Sequence, residues 1–163
     1  MGLNVVGVES ARAPVTEELK SVLRLDPEDS EIILIKRLRH IENEPFSYTM
    51  NYLPIAIGSR IRPDRLFTVP LLQILREELD IPILRAQETI AAAPADPDIA
   101  HKLDVPVLYP VMHMKRLMFT TGDRPFELVE TFYRADKYHY SVKLTRVKRN
   151  GQWRWKTEVE TSA

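Results

Sequence analysis

The chain of 163 residues contains no cysteine. Disulfides, thiolate nucleophiles, Cys-ligated zinc and iron–sulfur clusters are excluded together. Glycine is scarce: Gly2, Gly7, Gly58, Gly122 and Gly151 are too far apart for a G-x-G-x-x-G turn or a Walker loop. No apolar run is long enough to span a bilayer, and no signal-peptide core opens the sequence. An excess of one charge is missing too, with 23 Lys+Arg against 23 Asp+Glu. A domain that neutralises phosphates usually carries a basic surplus, so the balance argues against direct nucleic-acid binding. No G-x-S-x-G elbow occurs. His40, His101, His113 and His139 lack H-x-x-x-H spacing, so no metal site and no cofactor are expected. These absences, with 44% hydrophobic and 28% charged residues, predict one globular, cytoplasmic domain over residues 1–163.

What is present alternates. Strands are predicted from the start of the chain to Val8, over Ile32–Ile41, Phe46–Leu53, Ile83–Ala92, Val107–Thr120, Phe126–Arg134, Tyr138–Arg149 and Gln152–Val159. Short helices are predicted over Thr16–Leu25, Leu71–Leu79 and Pro97–Leu103, with Thr16 and Asp96 as caps and Pro97 at a first helical position. Arg60–Pro70 reads as a loop, and Asn150-Gly151 carries the type I′ hairpin signal. The fold class is therefore α+β with a mostly antiparallel sheet.

The halves repeat. Leu25-Asp26 is matched by Leu103-Asp104, Lys36-Arg37-Leu38 by Lys115-Arg116-Leu117, and Pro45-Phe46 by Pro125-Phe126. The expectation is one sheet built from two similar hairpins, each with a helix against it.

Alternation also sorts the candidate chemistry onto faces. Arg37 and Arg39 share a face with Ile33 and Ile35, about 7 Å apart. Two partly screened guanidiniums can hold a carboxylate or phosphate through forked hydrogen bonds; the alternative is that both extend past the sheet edge to solvent or pair with Glu42 and Glu44. Glu127, Val129, Thr131 and Tyr133 share a face of a later strand and correspond in the repeat to Ser47, Thr49, Asn51 and Leu53. Two such faces related by a pseudo-twofold axis are expected to enclose a cleft for a small polar ligand. Between Arg134 and Lys156 stand eight Lys/Arg and one acid, with Trp153 and Trp155. Their simplest assignment is a solvated hairpin face with the tryptophans in the core or at a dimer seam.

Arg37-Leu38-Arg39, the polar turn, Glu44-Pro45 and Tyr52-Leu53-Pro54 resemble the start of the UTRA effector-binding domain of HutC-type regulators in the GntR superfamily. The Leu71 helix, the helix ending at Leu103, the hairpin at Gly122–Pro125 and Glu127…Tyr133-Arg134-Ala135-Asp136-Lys137-Tyr138 continue the pattern in order. The resemblance implies a chorismate-lyase-like fold, a homodimer, and a small-molecule effector that changes the DNA affinity of an N-terminal winged helix absent from this chain. With Met1-Gly2 directly before a strand, the intact gene is expected to encode roughly 70 to 80 further residues upstream. In phosphosugar-sensing members, anion-binding arginines match Arg37 and Arg39, and sugar contacts match Glu127 and Tyr133. Thr49 stands where those members carry a glutamate, and Pro70 where they carry a phosphate-binding serine. A small anionic metabolite, carboxylate or phosphate, is the implied ligand, with Arg37, Arg39, Thr49, Glu127 and Tyr133 as its site. The competing reading on the same fold is a lyase, with Arg37 or Arg39 holding a carboxylate and Glu127 as acid/base.

Overall fold

The computed structural model describes residues 2–162, with side chains described through Val159. Eight strands and four short helices follow in the order β1 (Leu3–Pro14), α1 (Glu17–Leu23), β2 (Glu31–Ile41), β3 (Glu44–Leu53), α2 (Ile55–Gly58), α3 (Leu71–Gln73), β4 (Arg85–Pro94), α4 (Pro97–Leu103), β5 (Pro110–Thr120), β6 (Arg124–Arg134), β7 (His139–Arg149) and β8 (Gln152–Ser162). A 3₁₀ turn covers Pro63–Phe67, and α3 runs on as a π-helical turn over Ile74–Glu78. The loop expected over Arg60–Pro70 thus carries a 3₁₀ turn, and the helix expected over Leu71–Leu79 is found, its second half π-helical.

Strands β1 to β6 form one antiparallel sheet in the order β1-β2-β3-β6-β5-β4. The order is a palindrome: β1-α1-β2-β3 and β4-α4-β5-β6 are two copies of one unit, joined where β3 pairs with β6. The β2–β3 register shifts between Arg39 and His40, and the β5–β6 register between Met118 and Phe119. The bulges are equivalent, and the turn of the second hairpin (121–123) is one residue longer than that of the first (42–43), so Lys36 corresponds to Lys115 and Ser47 to Glu127. The axis then passes through the Met50–Glu130 pair.

The Leu25/Leu103 match is the exception. The cap geometry aligns Arg24 with Asp104: both are left-handed, at φ 49° and 52°. At the other helix ends, Thr16 accepts from the Leu19 amide at 3.2 Å and Asp96 from the Ile99 amide at 2.8 Å. Leu23, not Leu25, is therefore the partner of Leu103, and both are buried. Two Leu-Asp dipeptides fall near helix ends by coincidence, whereas the caps are set by backbone geometry.

Both helices lie on one face of the sheet. Leu19 and Leu23 of α1 pack with Ile32 and Leu128, and Ile99 and Leu103 of α4 pack with Tyr48 and Val111. The opposite face is covered by the segment 54–83, which reaches every strand of the sheet but β4. Ile61, Leu66, Leu71, Ile74 and Leu75 of that segment pack on Ile33, Ile35, Leu53, Met118 and Phe126. Gly58 anchors it, because a Cβ there would stand 2.4 Å from the Ile33 Cβ.

Strands β7 and β8 pair with each other and join no larger sheet. Asn150 (φ 51°) and Gly151 (φ 80°) make the expected primed turn. Trp153 and Trp155 are 57% and 65% exposed. They are not core residues, because this ribbon lies outside the three apolar clusters.

Candidate functional site

On the face opposite the helices, antiparallel pairing sets side chains in rows. Arg37 stands across from Thr49, which stands across from Thr131; Arg39 stands across from Ser47, which stands across from Tyr133. Ile35 stands across from Asn51 and Val129. The two polar strand faces expected to wall a cleft are thus neighbours in one sheet. They form a continuous floor, because β3 and β6 are hydrogen-bonded to each other.

That floor is buried. Ser47, Thr49, Asn51, Glu127 and Thr131 are all at most 3% exposed. Burial demands partners, and they are found on the diagonal. Arg37 Nη2 donates to Asn51 Oδ1 at 3.0 Å, and Asn51 Nδ2 donates to Glu127 Oε1 at 2.8 Å. Arg39 Nη2 donates to Thr49 Oγ1 at 3.1 Å, and Thr49 and Thr131 share a hydroxyl–hydroxyl bond of 3.0 Å. Neither arginine pairs with Glu42 or Glu44.

Two charges sit here with little water. Burial, reinforced by neighbouring Arg39, pulls the Arg37 pKa down to about 10; Glu127 opposes the shift. Burial likewise lowers the Arg39 pKa. Burial pushes the Glu127 carboxyl up to about 7, against the Asn51 bond and the Arg37 charge. Several donors remain unspent. The Nε atoms of Arg37 and Arg39 and the Ser47 hydroxyl are buried without a hydrogen-bond partner.

The arginines border a cavity of about 210 Å³ between the sheet and the covering segment. Its walls are Leu3, Asn4 and Val5 of β1, Arg37 and Arg39 of β2, and Leu66 to Pro70. Pro70 leads into α3 with no N–H to offer, but Thr68 lines the same wall. Of the five residues singled out from sequence, Arg37 and Arg39 face the cavity directly. Thr49 lies behind Arg39 and accepts its hydrogen bond, and Glu127 lies behind Arg37, reaching it only through Asn51. Tyr133 is set apart: it stacks on Tyr138 with centroids 4.0 Å apart and meets Phe46 edge-on at 5.5 Å.

Asn51 and Thr131 escaped selection although each shares a strand face with a selected residue. Their spacing of two from Thr49 and Tyr133 was the available signal. The wall contributed by β1 and residues 66–70 had none, because it arises from long-range packing.

The second copy of the unit does not repeat the site. Arg116 stands at the Arg37 position but is engaged by Glu88, Nε to Oε2, at 2.6 Å, and Met118 replaces Arg39.

Residues 5–139 match the UTRA domain, and the chain belongs to that family. It is 29% identical over 119 residues to HTH-type transcriptional regulator Rv0792c of Mycobacterium tuberculosis. That match covers 71% of this chain and 44% of the regulator, so the chain spans less than half of this curated relative. Among solved structures it resembles a ligand-binding domain assigned to the GntR family of transcriptional regulators, from Bordetella bronchiseptica. There the TM-score is 0.77 at 26% identity, over 88% of this chain and 90% of the other. A chain from Streptomyces coelicolor assigned as a transcriptional regulator shares the fold over its whole length, with TM-score 0.76 at 24% identity, covering 99% of this chain. The α+β, mostly antiparallel architecture read from the sequence is the one these structures share.

Proposed function

We propose that this chain is the effector-sensing part of a HutC-type transcriptional regulator. It binds a small anionic metabolite, carboxylate or phosphate, in the cavity bordered by Arg37 and Arg39. It acts in the cytoplasm as a homodimer, and the binding event alters the DNA affinity of a winged-helix domain outside this chain. The observation that carries the reading is the arginine pair: two largely buried guanidiniums border one cavity, each with an Nε–H unspent. Buried cations without a full set of acceptors cost free energy that an anion would recover. The balanced charge of the chain fits a sensor that leaves DNA to another domain.

Regulation follows from differential affinity: a ligand held between β1, β2 and residues 66–70 favours the arrangement in which these three are closed together. The test is a thermal-shift screen of sugar phosphates, amino-acid catabolites and dicarboxylates. At 100 times its dissociation constant a true effector stabilises by about 2.7 kcal/mol. A panel in which only neutral compounds raise the melting temperature would remove the anion from the reading.

The lyase alternative is not favoured. A general acid/base must reach the reacting atom directly, whereas Glu127 is buried behind Arg37 and Asn51 and does not line the cavity. Turnover of chorismate by the purified domain would reverse that preference.

A further inference from the structure

The neutral net charge hides a division. Residues 1–138 hold seventeen Lys/Arg and twenty-one Asp/Glu, whereas residues 139–163 hold six and two. The body is acidic by four charges and the β7–β8 ribbon basic by the same amount. From His139 to Val159 only Val147 is even partly buried, so the ribbon is not neutralised on its own body.

The ribbon is also amphipathic across its thickness. Cross-strand pairing puts Tyr140, Val142 and Leu144 on one face with Trp153, Trp155 and Val159. All six are at least 40% exposed. Arg146 and Lys148 share that face, across from Trp155 and Trp153, so it is an exposed aromatic face interleaved with cations; a lone two-stranded ribbon is marginal in water, and such a face calls for a cover.

A matching vacancy in the cover of the sheet exists on the body. The pseudo-twofold makes β1 and β4 equivalent edges, but the apolar cluster under the segment 54–83 takes in β1, β2, β3 and, at Met118 and Phe126, β5 and β6, and no residue of β4. On the same sheet face, Ala86, Glu88 and Ala92 of β4 are exposed, beside the half-buried Ile90 and Met112. Small side chains at 86 and 92 leave room for bulky aromatics, while Glu88 is already paired with Arg116 on the same face.

We propose that the occupant is a second copy of this chain: the β7–β8 ribbon of each protomer lies with its tryptophan face over the uncovered β4–β5 surface of the other. The exchange is isologous, as a twofold dimer requires. It sets the basic ribbon of one copy against the acidic body of its partner, and it covers both apolar surfaces at once. The inference rests on the homodimer reading and gives it an interface.

The experiment is light scattering of the full chain across protein concentration, with Trp153→Ser/Trp155→Ser and a truncation after Tyr138. Wild type is expected at twice 18.9 kDa. The double variant is expected to raise the dimer dissociation constant at least about tenfold, the size of a hot-spot loss, with unchanged far-ultraviolet circular dichroism. Because the chain has no cysteine, Trp155→Cys mixed with Ala92→Cys gives an unambiguous readout: a disulfide joining the two different chains. A dimer whose affinity is untouched by the double variant and the truncation overturns the interface and leaves the homodimer standing. A monomeric wild type overturns both, including the case in which the ribbon binds anionic vesicles instead. Absence of the mixed disulfide in a wild-type-like dimer overturns the placement on β4–β5.

Discussion

Asn51 donates to Glu127 across the β3–β6 junction at 2.8 Å, between residues 76 apart in sequence. The bond ties the two halves of the sheet together at the point where the buried charge lies. Because Asn51 also accepts from Arg37, the carboxyl at 127 governs the orientation of an arginine it does not touch.

Glu127 makes stability depend on pH in an uncommon direction. Its folded pKa, about 7, lies above that of an unfolded glutamate. The folded state therefore holds the proton more tightly. The resulting stability is complete below about pH 4.3, the unfolded value, and is lost as pH rises through 7. Chemical denaturation from pH 5 to 8 should show a decline of up to a few kcal/mol in the wild type. In Glu127→Gln that decline should flatten. An equal slope in both proteins would assign it to another group.

Arg39→Ala and Arg37→Ala should separate binding from structure. Arg39 is held by one hydroxyl, and its removal should abolish binding of any anionic hit while the fold is retained. Arg37 is coupled through Asn51 to a buried carboxyl, so Arg37→Ala should also destabilise by about 3 kcal/mol, as breaking a buried charged network does. Isothermal titration with urea denaturation of each variant checks both. Unchanged anion affinity in Arg39→Ala would remove the arginine clamp.

Gly58→Ala should cost about 1–3 kcal/mol through overpacking. The new methyl would fall 2.4 Å from the Ile33 Cβ. Relief requires the covering segment to lift from β2, so ligand affinity should fall together with stability. A variant as stable as wild type in urea would show that the segment adjusts freely.

Thr131→Val should remove the hydroxyl pair with Thr49 and cost about 1 kcal/mol. Since Thr49 also positions Arg39, the anion affinity should drop less than in Arg39→Ala but measurably. A calorimetric comparison of the two variants orders them.

Much of this was legible in the chain because the signals are local. Thr16, Asp96 and Pro97 mark helix starts by their own hydrogen-bonding chemistry, Asn150-Gly151 marks a turn by its backbone freedom, and alternation put Arg37 and Arg39 on one face. The repeat was readable where side chains pack alike and misread at Leu25, where only dipeptides agreed. The exclusion of Glu127 from the cavity was not readable, because it depends on Asn51 reaching across a junction between halves. The wall of residues 66–70 and the exposure of Trp153 and Trp155 likewise depend on which surfaces meet, and strand periodicity does not carry that information.

The engagement of Arg116 by Glu88 and the presence of Met118 at the Arg39 position have a stoichiometric consequence. A duplicated unit could have offered two equivalent anion sites, but one copy has spent its cation internally and lost the other. Each chain should therefore titrate with a single effector, which calorimetric stoichiometry checks. On the proposed reading, one half of the duplication would serve as the receptor and the other as its frame.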